Sequence, residues 1–472
     1  MDPLLLASAT KLAEMIRRGE VSSAEVVERH IRQVEKVNPS LNAMVATRFD
    51  EAMREARAAD ERLAGKGAAA ELPPFHGVPC SIKETFALTG MPLTGGLVAR
   101  RHRRADKDAE GVRKLREAGA IPLGVTNISE LCMWMESNNK VYGRSNNPYD
   151  LTRTTGGSSG GEGAMVGAGA APFGLGADIG GSIRMPAFFN GVFGHKPTGG
   201  LVDNAGQFPV PAPGAMGYLT TGPLARKAED LAPLLGVLAA PNAVGDPAGV
   251  SVAGLSVVSI EDNGRVGVSD ELRAAQERAA SALSSQGARV RKARIKALES
   301  SLEIWSSMLE AAAGPSFSSM LGEGTEIAPA WELLKWALGR SPYTLPALGL
   351  ALVEKIPKAF PSYGRRFIAL GKELRRELVE LIGPTGVLLY PPYATTAPKH
   401  GRAMLPPINW MYTAVLNVME VPVTQVPLGL GRDRLPLGVQ VVASHGNDHV
   451  TIAVARALEG TFGGWVPPGS AS

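Results

Sequence analysis

Cysteine is nearly missing: the two present, Cys80 and Cys132, can form at most one bridge, and their spacing matches no metal-ligand pattern. Neither a disulfide scaffold nor a zinc motif is indicated. Charge of one sign is also scarce, because 49 Lys and Arg stand against 45 Asp and Glu and leave +4 over 472 residues, too weak a field for a polyanion binder. No nucleic-acid partner is expected. Long apolar runs are absent too, since nowhere do roughly 18 apolar residues, the length of a spanning helix, follow one another without charge or proline. The opening residues Met1-Asp2-Pro3-Leu4-Leu5-Leu6 lack a basic n-region, and their apolar stretch is too short for a secretion signal. These absences lead us to expect a cytoplasmic chain, free or peripheral to a membrane.

What is present is average in bulk: 44% apolar and 20% charged residues exclude wholesale disorder. Glycine is the exception, at 55 of 472 residues against a usual share of roughly 7%. Somewhere this backbone turns sharply or approaches something closely. Length alone suggests roughly three domains of about 150 residues. No internal repeat or linker divides the chain, however, so one large domain over 1–472 is expected.

Residues 1–74 read as a helical arm packed on a core. Leu12 and Ile16 lie at helical spacing, and Ser22 with Glu25 forms a capping box ahead of Val26, Val27, His30, Ile31 and Val34. Asn38-Pro39 is expected to end that helix. Residues 50–63 form a second amphipathic stretch that stops at Gly65-Lys66-Gly67. From Gly77 the texture changes to short apolar runs at 78–83 and 121–125, with a helical pattern at 112–118 between them. That alternation predicts an α/β/α domain with a mixed, largely parallel central sheet flanked by helices. The runs 386–391 and 437–442 are expected as further strands of that sheet, and 77–230 as the catalytic core.

Three pieces set small nucleophilic or basic side chains in unusual backbone company: Ser81-Ile82-Lys83-Glu84, the cluster Gly156-Gly157-Ser158-Ser159-Gly160-Gly161-Glu162-Gly163, and Gly176-Ala177-Asp178-Ile179-Gly180-Gly181-Ser182-Ile183-Arg184. A serine flanked by glycines can expose its hydroxyl and turn neighbouring N–H groups toward one point, the arrangement of an oxyanion hole. An isolated Gly-Ser cluster is more often a flexible turn, but two in one segment weigh against that. A phosphate cradle fails on detail, because Glu162 stands where a P-loop needs lysine. Gly156-Gly157-Ser158-Ser159-Gly160 also fits the permissive G-x-S-x-G elbow of α/β-hydrolases, with His400, His445 and His449 downstream as bases. Both serine readings stay open on pattern alone.

The stretch 156–198, GGSSGGEGAMVGAGAAPFGLGADIGGSIRMPAFFNGVFGHKPT, resembles the amidase signature family over a length that makes the match specific. Its company resembles the fatty-acid amide hydrolase branch: GVPCSIKETF at 77–86, ELCMWMESNNKVYGRSNNPYD at 130–150, YPPYATTAPKH at 390–400 and TFGGWVPPG at 461–469. The likeness covers nearly the whole chain and weakens between about 240 and 300, and the N-terminal spanning segment of the animal enzymes has no match here. The resemblance implies a Ser-Ser-Lys triad of Ser182 as nucleophile, Ser158 as bridge and Lys83 as base, with no metal or cofactor. It implies oxyanion donors among Ile179, Gly180, Gly181 and Ser182, and it places Cys132 and Met133 on the acyl-binding side.

The chemistry of such a triad can be argued independently. A serine hydroxyl needs a base within hydrogen-bond reach, and an ammonium cannot accept a proton, so Lys83 must be neutral. Burial is the effect that lowers a lysine pKa, and the neighbours Val78, Cys80 and Ile82 are apolar. Ser158 can take a proton from Ser182 while giving its own to Lys83, because a hydroxyl is both donor and acceptor. Asp178 and Arg184 are expected to hold the nucleophile loop as a charge pair. Ser159, Glu162, His76 and His195 are expected to be structural, and a cysteine-nucleophile role for Cys132 lacks a histidine motif.

Residues 328–362 are apolar with Lys335, Arg340, Lys355 and Lys358 as punctuation, and read as a hydrophobic cap dipping into a membrane interface. The plainer alternative is a core-facing helix pair broken by Pro342 and Pro346. The expected activity is hydrolysis of carboxamides, foremost long-chain fatty-acid amides, with the amide substrate as the small-molecule partner and a homodimer allowed for. Short-chain or aryl amidases, an ammonia-releasing amidotransferase subunit, and an inactive lipid-binding protein of the same fold remain the alternatives.

Overall fold

Short runs of apolar and small residues, too brief and too evenly buried for amphipathic helices, pair into one sheet in the computed structural model, which describes residues 2–66, 71–312, 314–354, 361–405 and 408–469. In chain order its strands are β1 (Met44–Thr47), β2 (Pro79–Lys83), β3 (Ile121–Thr126), β4 (Phe173–Asp178), β5 (Phe193–Lys196), β6 (Thr220–Ala225), β7 (Ser256–Ser259), β8 (Arg289–Lys292), β9 (Val387–Tyr390), β10 (Val423–Leu430) and β11 (Pro436–Ala443). They lie side by side as β1-β3-β2-β4-β6-β5-β10-β11-β9-β7-β8. Every residue of β2, β3, β4, β5, β6, β9 and β11 is buried. Strands without alternation must be covered on both faces, and helices provide that cover.

The α/β/α layering and the mixed sheet match the expectation, as do the strands at 386–391 and 437–442. The parallel share is smaller than expected. Parallel pairing is confined to the flanks, β3-β2-β4 and β9-β7-β8, while the centre from β4 through β6, β5, β10 and β11 to β9 is antiparallel. Neighbouring central strands such as β10 and β11 are joined by a tight turn instead of a helical crossover, and a tight turn reverses chain direction.

Ser22 caps the helix Ser23–Leu41 by accepting from the Glu25 amide at 3.0 Å. That helix continues one turn past the expected stop at Asn38-Pro39. In a last turn Pro39 forfeits only one helical hydrogen bond, and the left-handed Asn42 (φ 47°) ends the helix instead. The Asn38 side chain accepts from the amides of Ala43 and Met44 at 2.8 and 2.9 Å, steering the chain into β1. The arm is therefore part of the sheet, since β1 pairs antiparallel with β3. Its first helices are tied down by buried Asp230, whose carboxylate accepts from the Ala9 and Thr10 amides at 2.9 and 2.8 Å and from Thr10 Oγ1 at 2.8 Å.

Residues 328–354 form two short helices, Pro329–Ala337 and Leu345–Val353. Pro346 starts the second helix instead of breaking it, because a proline in the first turn removes an N–H that would be unpaired anyway. Trp331, Leu338 and Val353 are 56%, 64% and 57% exposed, so this pair is not simply core-facing. Lys355, Lys358 and Phe360 of the expected cap lie outside the described residues. Among the described residues no helix is long and apolar enough to cross a membrane.

The parallel pairing of β2 with β4, Ser81 opposite Gly174 and Ile82 opposite Leu175, brings Lys83 and Asp178 out at the same sheet edge. Ligand sites of α/β sheets form at such carboxyl ends. Loss of the Asp230 tether should loosen the arm: Asp230→Ala is expected to lower stability by about 2 kcal/mol, measured as a shift of the urea midpoint at unchanged slope.

Candidate active site

Lys83 closes β2 opposite Thr126 of β3 and is 1% exposed. Its Nζ lies 2.8 Å from Ser158 Oγ and 3.2 Å from the Ala177 carbonyl oxygen. Among the described residues no carboxylate reaches ion-pair distance of this amine. Loss of hydration is then the dominant influence, holding the group below the ordinary lysine value of 10.5, while Cys132, Asp178 and Glu162 pull more weakly upward. A neutral amine has two N–H donors and one lone pair. With one N–H on Ala177, the lone pair can face the Ser158 hydroxyl.

Ser158 sits just before the helix Gly160–Gly167, every residue of which is buried. Glycine is needed there for close approach: a Cβ on Gly161 would fall 2.4 Å from the Asn127 nitrogen. The Gly157–Ser158 peptide is cis, and Ser137 Oγ donates to the Ser158 carbonyl at 3.1 Å. One residue on, the Ser159 amide donates to the Ser182 carbonyl at 3.2 Å and Ser159 Oγ to Ala177 O at 3.3 Å. The three serine and lysine segments thus meet around one carbonyl, with Ser182 itself 7% exposed.

The loop carrying Ser182 is shaped by its own acid. Asp178 and Arg184 form a fully buried two-point pair, Nε to Oδ2 and Nη2 to Oδ1, both at 3.0 Å. Arg184 also donates to Thr413 O at 2.9 Å, Gln440 Oε1 at 2.8 Å and Asn417 Oδ1 at 2.6 Å. With the Arg184 charge and hydrogen bonds from Arg184, Asn417 Nδ2 and the Ile183 amide opposing its burial, the Asp178 carboxyl stays well below the usual carboxylate range. The same carboxylate accepts from the amides of Gly181 at 2.7 Å and Ile183 at 3.0 Å.

That geometry corrects the donor set. The Gly181 N–H is committed to Asp178, so it is not free for an oxyanion. Among the described residues the amides of Ile179, Gly180 and Ser182 have no acceptor within the chain. Gly181 is required for shape instead: its φ is +112°, and a Cβ there would sit 2.0 Å from Thr413 Oγ1.

Glu162 is buried behind the lysine, accepting from Ser81 Oγ at 2.6 Å and Thr126 Oγ1 at 2.7 Å, and burial pushes its carboxyl up to about 7. Cys132 is half-buried at φ 60°, following Leu131 at φ 51°, and lies near enough to perturb Lys83. Met133 packs with the cluster of Leu97, Leu131, Phe317 and Leu321. This loop is joined to the exposed helix pair by Glu130, whose Oε2 accepts from the Thr344 amide at 2.8 Å.

His76 and His195 are engaged elsewhere, with Ala59 O and with Thr424 Oγ1 and Asp448. His400 meets Leu151 O. Among the described residues no histidine is hydrogen-bonded to Ser158 or Ser182, which leaves the α/β-hydrolase elbow without its base. No cluster of three or more His, Cys, Asp and Glu side chains among the described residues is placed to ligate a metal.

Sequence reasoning missed Ala177, Thr413 and Asn417, and it missed Trp305, whose Nε1–H donates to Ile179 O at 3.0 Å. No pattern could have found them, because they act from distant segments or through a backbone carbonyl. Because Arg184→Met would strand the Asp178 charge in a dry interior, the variant is expected to lose about 3–5 kcal/mol, read by denaturant unfolding.

The sequence model of the Amidase family matches residues 25–452. Human fatty-acid amide hydrolase 2 is 46% identical, the alignment covering 99% of this chain and 91% of that protein. Fatty-acid amide hydrolase 2-B of Danio rerio is 47% identical over 99% of this chain and 92% of its own length. Among solved structures, 6-aminohexanoate cyclic dimer hydrolase superposes with a TM-score of 0.79 at 29% identity, covering 99% of each chain.

Proposed function

Because the chain belongs to the amidase family and is an amide-hydrolysing enzyme, we propose that it cleaves long-chain fatty-acid amides through an acyl-enzyme on Ser182, with Ser158 as bridge and Lys83 as base. The observation that carries this reading is the 2.8 Å contact between a buried, uncompensated lysine amine and Ser158 Oγ. In the forward step Ser182 Oγ attacks the amide carbon, its proton passes to Ser158 Oγ, and the Ser158 proton passes to Lys83 Nζ. The carbonyl oxygen becomes an anion facing the amides of Ile179, Gly180 and Ser182. One such donor is worth about 2.7–4 kcal/mol. Run in reverse, the relay delivers a proton to the leaving nitrogen as the C–N bond breaks. Water then releases the acid by the same route, restoring Ser182.

The acyl preference is supported by relatives named for fatty-acid amides at 46% and 47% identity across nearly the whole chain, and by the apolar company of Met133. The exposed Trp331, Leu334, Trp336 and Leu338 form a face suited to a membrane interface, and Lys335 lies 6.0 Å from the Trp331 ring. The exposed basic residues Arg101, Arg103 and Arg104 follow Arg100, which is paired with Glu323 in the segment leading to this face. A second copy of the chain is the other occupant such a face can accept.

A fluorophosphonate should leave one adduct, on Ser182, absent in Ser182→Ala; an adduct on Ser158 alone would overturn the assignment. The rate should rise with pH as Lys83 loses its proton, because only the neutral amine accepts one, with a midpoint below 10.5. Lys83→Ala should abolish that limb and cost more in amide than in ester hydrolysis, since an amine leaves only when protonated. Equal losses would contradict the relay. Vesicle co-sedimentation should exceed background and fall in Trp336→Glu. A concentration-dependent dimer lost in the same variant, without vesicle binding, would assign the face to self-association.

A further inference from the structure

Five residues, Ile179 to Ile183, separate β4 from the helix Arg184–Phe189, and the peptide planes within this loop are held unequally. The plane between Gly180 and Gly181 has two tethers. Thr413 Oγ1 lies 3.0 Å from the Gly180 carbonyl oxygen, and the Gly181 N–H donates to Asp178 at 2.7 Å. The plane between Ser182 and Ile183 is held at both ends as well, by the Ser159 amide on its carbonyl and by Asp178 on its N–H. Among the described residues three planes end in an open N–H. The carbonyl of Asp178 is held by Asn417 Nδ2 at 3.0 Å and that of Gly181 by the Met185 amide at 2.8 Å, whereas the plane between Ile179 and Gly180 is held by an indole from a separate helix. The Gly180 N–H has no acceptor within the chain among the described residues, and the Ile179 carbonyl has one donor, Trp305 Nε1, at 3.0 Å.

A trans peptide is planar, so a carbonyl fixed on one side sends the following N–H to the other. Gly180 offers no side chain to resist rotation of that plane. Room for movement exists, because a Cβ placed on Gly180 would meet nothing closer than Trp305 Cζ2 at 3.5 Å. The indole is itself well placed to act as a fixed post. Trp305 is 9% exposed on the helix Ser301–Ala311 and meets Trp410 edge-on, with ring centroids 4.8 Å apart at 90°.

We infer that Trp305 is a positioning residue for the reaction: its indole N–H, by holding the Ile179 carbonyl, aims the otherwise untethered Gly180 amide at the developing oxyanion. The inference rests on the reading of Ser182 as nucleophile. Trp305 touches neither the nucleophile nor the scissile bond in this scheme. It acts through one peptide plane, so its contribution belongs to the transition state and not to ground-state binding.

The test is Trp305→Phe, which keeps an aromatic ring and removes the N–H. The expected result is a 10- to 100-fold fall in kcat with KM nearly unchanged, short of the roughly 10²–10³-fold that follows outright loss of an oxyanion donor. Affinity for a long-chain trifluoromethyl ketone, which forms a tetrahedral oxyanion on the serine, should fall by the same factor, while affinity for the matching free fatty acid and the melting temperature stay near wild type. Should the phenylalanine variant not fold, 3-benzothienylalanine at position 305 replaces the N–H by sulfur within the same bicyclic shape and should give the same pattern. An unchanged kcat in a folded variant, or equal losses of ketone and fatty-acid affinity, would overturn the inference. Wild-type enzyme that fails to form a fluorophosphonate adduct on Ser182 would instead overturn the reading of the site on which it rests.

Discussion

An amine at the end of a strand buried on both faces cannot stay an ammonium cheaply unless a carboxylate meets it, and among the described residues none touches Lys83. That single imbalance organises the centre of this protein. Desolvation favours the form with a lone pair, the Ala177 carbonyl occupies one N–H, and the remaining direction is filled by Ser158 Oγ at 2.8 Å. Had Glu162 been turned toward the amine, the pair would have ionised and the base would have been lost. Ser81 and Thr126 instead take both oxygens of Glu162, so that a neighbouring acid and base remain apart in the same dry space.

The second constraint is a charge deliberately paired. Asp178 lies one turn of backbone ahead of Ser182, and its two oxygens collect the Arg184 guanidinium and the amides of Gly181 and Ile183. A buried pair of this kind contributes little net stability against an apolar replacement. Its value here is geometric, since it fixes which loop amides are spent on structure and which remain open. The glycines serve the same end. Gly161 and Gly181 make room for other groups, and only the second also needs a left-handed backbone angle, so at the site these glycines serve close approach more than flexibility.

The exposed helix pair joins this centre through Glu130. Its carboxylate receives the Thr344 amide and hydroxyl at the start of the helix Leu345–Val353, while the adjacent Leu131 and Cys132 adopt left-handed backbone angles. The exposed tryptophans and the loop carrying Cys132 and Met133 are therefore parts of one connected structure.

Much was legible in the residues alone. Short apolar runs separated by glycine and helical patterns specified layered α/β structure, because burial on both faces leaves no polar alternation, and the serine, glycine and lysine motifs marked three segments from which the family resemblance picked Lys83, Ser158 and Ser182. Local pattern could not tell how strands far apart in the chain would pair, which is why parallel pairing was overestimated and why β1 in the arm went unseen. Nor could it tell that the Gly181 amide is consumed by Asp178, that Asn42 and not Pro39 stops a helix, or that Trp305 reaches a carbonyl 126 positions earlier. Those outcomes depend on which groups meet across the folded interior. Covalent neighbours and periodicity set what each segment can become, whereas hydrogen-bond direction and desolvation exist only once distant segments have been brought together.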